Sequence, residues 1–422
     1  MPADSVNARR SLHAVLGAVV VFTVACSDGP NSPRDEVRSL VVNNDVAALA
    51  GAVSYANAGA LPLEPVSPGA GLSTVSARTS ATAAAPILLE LVAEVASPVV
   101  SGRTLEATHV AIFGNNAFVS YNAAGEESVG AVASFDITDS RRPRLISLAA
   151  LPNADANAIA YSNGRLFVAE ATTDTAFADR AVLERIEVRN GQFQSTTVRV
   201  GLSSYAATGV AIYRGAVFAT SGNGGLRSGG VTMLNESTMQ PIYLDTFPDA
   251  RAMEIAPDAN LAIATQGTPG RARLYDVTTG QLRVADIAIG GSTLRASKGN
   301  IVVVRDWAFI AVGDGGMKVL SLARRRVIDG LARPTAAGVS SENLVTNAVS
   351  IDNNLVILAN GGAGVWVASK SGNGSLNTSP GLTVLGRIGL SGTVSANYVA
   401  SSGGLMFVAA GRGGLKIIKV TQ

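Results

Sequence analysis

Seven returns of one apolar phrase about every 48 residues, with short strand-like runs filling each interval, predict an all-β fold: a seven-bladed β-propeller of four-stranded blades. The phrase reads VAIFGNNAFVSY at its first appearance and YVASSGGLMFVAA at its last. The residues just ahead of its copies are His109, Asn157, Gly209, Met253, Asn300, Asn347 and Asn397, in steps of 48, 52, 44, 47, 47 and 50 residues. Composition agrees. With 47% hydrophobic residues, 15% charged residues and 45 glycines, the chain suits many short buried strands joined by tight turns better than long amphipathic helices.

Residues 1–25 read as a targeting segment outside the fold. Arg9 and Arg10 supply a positive start, and Ala14 to Val24 an apolar run of 11 residues, too short to span a bilayer. The run ends at Thr23-Val24-Ala25-Cys26, which resembles a bacterial lipoprotein signal, departing from it at Thr23. Cys26 is the only cysteine of 422 residues, so it has no intramolecular disulfide partner, and the resemblance implies that it is the lipidated N-terminus of the mature chain. Ser27 in place of aspartate favours the outer membrane.

Residues 26–86 are rich in Ala, Ser, Gly and Pro without a sustained period, which predicts a low-complexity flexible tether. About 60 such residues reach roughly 40–45 Å as a coil. A short helix or strand near Asp35–Ala50 is the alternative. The propeller then occupies residues 87–422.

In the first repeat the strands are expected at Val110–Phe113, Ala117–Tyr121, Ala131–Ile137 and Arg144–Ala149, named a to d from the axis outwards. Gly and Asn mark the a–b hairpins, as in Asn163-Gly164 and Gly403-Gly404. The last repeat stops at Lys416–Val420, a c strand, so its d strand is missing. Leu88–Ala96 (LLELVAEVA) resembles the other d strands and is expected to complete the last blade, removing an open sheet edge.

The runs Gly414-Leu415-Lys416-Ile417-Ile418-Lys419-Val420 and Gly316-Met317-Lys318-Val319-Leu320-Ser321-Leu322 match the first half of a GLRVIDVSDPSNP-like motif. Ser134 to Pro143 (SFDITDSRRP) matches its second half. On these residues the chain resembles the LVIVD-repeat family of bacterial propellers from about Ile87 to Gln422, with degenerate second and third units. The resemblance implies an exported, often lipid-anchored propeller, and it carries no catalytic residues over.

The residues themselves offer little chemistry. His13 leaves with the targeting segment, so His109 is the only histidine of the mature chain, too few for a multi-histidine metal site. No nucleophile elbow, P-loop or dinucleotide fingerprint is present. The expectation is therefore no catalytic residue, metal or cofactor. A formal charge of +2 gives no electrostatic footprint for nucleic acid.

The candidate ligand-binding residues are those at the channel mouth, where strands a begin: His109, Asn157, Asn300, Asn347 and Asn397. Converging polar groups there suit a polar ligand, while asparagines entering a strand also bond locally to backbone. The b–c loops open on the same face, bringing Glu170, Asp174 and Asp179 of the longest loop beside Asp314, Arg412, Asn360 and Asn223. Arg141, Arg142 and Arg144, with Arg324, Arg325 and Arg326, fall at c–d turns on the opposite face and read as solvated turns. Phe118, Phe167, Phe218, Phe309 and Phe407 recur at one b-strand position and read as packing between blades.

The sequence thus predicts an exported, lipid-anchored propeller of the bacterial cell envelope. It acts as a non-catalytic binding or assembly scaffold, held to the membrane by its lipid, with an envelope protein or a polysaccharide as partner. A lactonase- or hydrolase-like propeller with a weak axial metal site is the alternative.

Overall fold

The structure, a computed structural model, describes residues 35–66, 87–125, 128–222, 227–294, 298–370, 381–390 and 394–422. The targeting segment, Cys26, Asn223 and residues 67–86 of the expected tether lie outside the described residues.

Seven antiparallel sheets form the blades. Blade 1 runs Glu106–Phe113, Asn116–Asn122, Gly130–Asp136 and Arg144–Leu151, each strand overlapping its expected place and extending it by one to four residues at an end. Blades 2 to 6 repeat this order in sequence. Blade 7 takes its fourth strand from the N-terminal side: Leu88–Val95 pairs antiparallel with Leu415–Thr421, so both ends of the ring are held in one sheet. The five recurring phenylalanines are fully buried, as blade packing requires. The Gly-rich b–c turns bring main chain against main chain: Gly414 adopts φ +72°, and a Cβ there would lie 2.0 Å from the Val95 carbonyl oxygen.

Part of the expected tether is ordered, along the short-element alternative and beyond it. Asp35–Ser39 adds to the outer edge of blade 2, and Val41–Asn43 to that of blade 1. Val53–Ser54 and Gly59–Leu61 lie against Leu88–Val95 of blade 7. Glu64 then bridges to Arg387 of blade 6, with an ion pair of 3.0 Å. This stretch is a belt over four consecutive blades, crossing the closure. What holds it is ionic as well as main-chain. Arg38 Nε donates to Glu184 Oε1 at 2.8 Å and Arg38 Nη1 to Asn153 at 2.8 Å, while Glu36 pairs with the buried Arg199. A composition-based reading cannot see these partners, which lie 115 to 163 residues away.

Candidate functional site

The axial channel is built from strands a, and the register of each strand against its b neighbour decides which side chains face it. The residues paired with Ser120, Ala169, Thr220, Ala264, Ala311, Ala359 and Ala409 are His109, Ala158, Gly209, Met253, Asn300, Ala348 and Tyr398. The ring expected from sequence alignment is therefore split. His109 and Asn300 belong to this rung, together with Tyr398. Asn157, Asn347 and Asn397 stand one residue earlier. Each rung residue lies 11 residues before its b-strand partner in every blade, but the apolar phrase begins one residue earlier in blades 2, 6 and 7, so the residue just ahead of it there falls outside the rung. The position just ahead of the rung is bulged in blades 1 to 3, seen as register shifts between Ala107 and His109, Ala156 and Ala158, and Ala207 and Gly209. One residue of offset turns a side chain to the other face.

The bulge residues have a shared structural task. Thr108 Oγ1 donates to the Ala156 carbonyl at 2.8 Å, Asn157 Nδ2 to Ala207 at 3.0 Å and Thr208 Oγ1 to Ala250 at 2.8 Å. Asn347 Nδ2 reaches Ala396 at 3.1 Å, and Asn397 Nδ2 reaches Ala107 at 3.3 Å. Each links its blade to the carbonyl just ahead of the next blade's bulge, forming a clasp around the channel. In blades 4 and 5 the bulge positions are Ala252 and Gly299, which carry no polar side chain. Asn300 partly compensates, its Oδ1 accepting from the Val349 N–H at 2.8 Å.

Beneath this entrance lies a cavity of about 400 Å³, lined by His109, Asn157, Thr208, Arg251, Glu254, Lys298, Asn300 and Tyr398 among others. Its polar wall is made where blades 4 and 5 depart from the repeat. In the row after the rung the other blades place Val110, Ile159, Val210, Ile301, Val349 and Val399, all buried; blade 4 places Glu254. Two rows earlier, blades 1, 2, 3 and 7 place Ala107, Ala156, Ala207 and Ala396, where blades 4 and 5 have Arg251 and Lys298. Glu254 was missed by motif reasoning, although its signal was present: the fourth copy of the phrase opens on Glu where the first, third and fifth open on Val, Val and Ile.

Arg251, Asn300 and Tyr398 are buried, and His109, Glu254 and Lys298 half-buried. Burial pushes the Glu254 carboxyl up to about 7, against one hydrogen bond from the Ile255 N–H at 2.7 Å. Burial, and secondarily the Lys298 charge, lowers His109 to about 3, so its imidazole is neutral; its Nδ1 has no hydrogen-bond partner. The ring lies against Tyr398 at 4.0 Å between centroids. The Tyr398 hydroxyl, raised by burial, accepts from Asn300 Nδ2 at 2.8 Å. Burial brings Lys298 down to about 8, opposed by the charges of Glu106 and Asp155. Arg251 is held by Asp249, Nε to Oδ1, at 2.7 Å.

The loop-face residues are engaged locally. Glu170 lies within strand Arg165–Thr172 of blade 2, not in a loop, and its buried carboxyl sits 3.6 Å from Arg38. Burial and the neighbouring Glu184 charge raise its pKa well above the ordinary carboxylate range. Asp174 accepts from Arg199 at 2.5 Å, and Asp179 lies 3.5 Å from Arg227 of blade 3. Asp314 accepts from Ser292 Oγ at 2.7 Å and the Thr293 N–H at 2.9 Å, fixing the loop that leads into blade 5. Arg412 donates to Glu106 at 3.1 Å across the closure, and Asn360 accepts from Thr346 at 2.8 Å. Among the described residues no three of His, Cys, Asp and Glu converge as a metal site.

No family model matches the chain, and no curated protein matches it. Its likeness to solved structures is one of architecture. The WD40 repeats of RRP9 superpose with a TM-score of 0.55 at 14% identity, covering 77% of this chain and 97% of that one. U3-55K gives 0.54 at 15% identity, covering 76% and 98%. The WD40 β-propeller domain of Doa1 gives 0.50 at 10% identity, covering 77% and 96%. At such identities the likeness shows the fold alone, and that fold is a seven-bladed β-propeller.

Proposed function

We propose that this chain is a non-catalytic binding propeller of the LVIVD-repeat type. It is exported and anchored through a lipid on Cys26 in the bacterial cell envelope, on the outer membrane, and it takes a small polar ligand in its axial cavity. One observation carries the binding reading: Arg251, Glu254 and Lys298, the charged departures from the repeat's channel rows, all stand on adjacent blades and line the same cavity. A half-buried carboxyl in a row of buried valines and isoleucines opposes folding, and a ligand site is the ordinary reason for such a residue to persist. The surrounding ring supports this by being rigid, clasped inside and belted outside. The loop face, whose charges knit neighbouring loops together, presents the preformed surface on which an envelope protein or polysaccharide would dock.

A hydrolase-like reading asks for several metal-ligating side chains at one point on the axis, and among the described residues the cavity brings His109 and Glu254 without a third His, Cys, Asp or Glu. Binding is the better-supported function. The test is thermal stability of the full chain in detergent against a panel of small polar solutes, for the natural protein and for Ala111→Trp, which fills the cavity. A solute that raises the midpoint only in the natural protein is expected; no solute distinguishing the two contradicts the reading. The anchor is tested separately by Cys26→Ser, which is expected to abolish lipid labelling and membrane partitioning. Unchanged partitioning contradicts it.

A further inference from the structure

The uncommitted polar groups of the cavity are unevenly placed, and their placement selects a ligand. Among the described residues lining it, Glu254 is the only acid. Among the described residues it has no basic partner within ion-pair distance; it accepts from the Ile255 N–H, and its charge acts on the Tyr398 hydroxyl. His109 also lines the cavity, with a neutral imidazole that brings no charge. This end of the cavity is short of hydrogen-bond donors.

The opposite holds at the mouth. Of the two lining cations Arg251 is held by Asp249, whereas Lys298 makes no hydrogen bond or ion pair among the described residues. Of the carboxylates within its electrostatic reach, Glu106 is paired with Arg412, and Asp155 accepts from Ser128 at 3.3 Å through one oxygen while the other has no hydrogen-bond partner among the described residues. Lys298 corresponds in register to Arg251, three residues ahead of Glu254 along strand a. With a strand rise of about 3.3 Å and one bulged residue, the two charged groups start roughly 7–10 Å apart along the axis.

We propose that the cavity binds a small zwitterion whose primary ammonium and carboxylate are several bonds apart, as in an ω-amino acid or a dipeptide. The ammonium donates to the Glu254 carboxylate, and the carboxylate meets Lys298. A simple amine leaves Lys298 without a partner, a simple acid leaves Glu254 without one, and a neutral polyol leaves both. Tyr161 and Ile112 line the cavity further along strands a, beside an aliphatic spacer.

This inference rests on the reading of the cavity as a ligand site, and one calorimetric titration of the full chain separates the two. The probes are ε-aminocaproate, glycylglycine, hexylamine, hexanoate and sorbitol. At least one zwitterion is expected to bind about tenfold or more tightly than hexylamine, hexanoate or sorbitol, a preference lost in Glu254→Gln and in Lys298→Met. Ala111→Trp is expected to bind none of them. If hexylamine, hexanoate or sorbitol binds as tightly as both zwitterions, or if Glu254→Gln keeps the preference, the ligand class is wrong while the cavity site stands. If no probe binds the natural protein, the zwitterion falls; if a wider solute panel also fails to distinguish it from Ala111→Trp, the cavity site falls with it.

Discussion

Two arcs of the ring are built differently. From blade 6 through 7, 1 and 2 to 3, the channel entrance is closed by side chains that reach the next blade's carbonyl, and the outer edges of blades 6, 7, 1 and 2 are covered by the belt. At blades 4 and 5 the clasp residues are Ala252 and Gly299, no belt strand is paired with the outer edge among the described residues, and charge enters the channel wall at Arg251, Glu254 and Lys298. The difference teaches where folding and function are divided. One arc spends its polar groups on holding the ring, and the other leaves them facing a cavity.

The largest expected effect comes from breaking the belted arc. Arg38 pairs with the fully buried Glu184, beside Glu170, whose own pKa is raised by burial and by Glu184, so Arg38→Ala leaves the buried Glu184 charge uncompensated. It is expected to cost about 3–5 kcal/mol, read as a lower denaturation midpoint. A loss under about 1 kcal/mol would mean that the belt is not part of the folded unit. The next effect belongs to the other arc and depends on pH. Glu254 titrates at about 7 in the folded chain against an ordinary 4.5, so its folded form binds the proton more tightly. Its contribution is fully present below about pH 4.5 and is lost as the pH rises towards 7, a difference of about 3 kcal/mol. Relative to the natural protein, Glu254→Gln is expected to gain stability progressively over that window; parallel pH profiles for the two would count against the assignment. The smallest effect tests the clasp: Asn347→Ala and Asn397→Ala, which do not line the cavity, should each cost about 1 kcal/mol by chemical denaturation without altering ligand binding.

The blades were legible because packing between them writes the same apolar letters into every repeat, and the closing strand because Leu88–Val95 carries the same pattern as the other d strands. The belt was not. Asp-Glu-Val-Arg-Ser at 35–39 is polar, pairs by main chain, and is fixed by partners such as Glu184 that only the folded ring brings near. The site was half legible. His109, Asn157 and Asn300 line the cavity, but the phrase begins one residue earlier in blades 2, 6 and 7, so Asn157, Asn347 and Asn397 stand at the clasp position. Tyr398 was hidden by the same offset, since it reads as the first letter of the last apolar phrase. Glu254 and Lys298 stood in view as departures from their columns, and only the register showed that they share a cavity.

If Glu254 serves a ligand at the expense of the fold, Glu254→Val, which restores the residue type of the other blades, reveals both effects in one protein. Denaturation at pH 8 and titration with the zwitterion that binds the natural chain should show a variant more stable by about 3 kcal/mol and without measurable binding. A variant that is less stable, or that binds as the natural chain does, would contradict it.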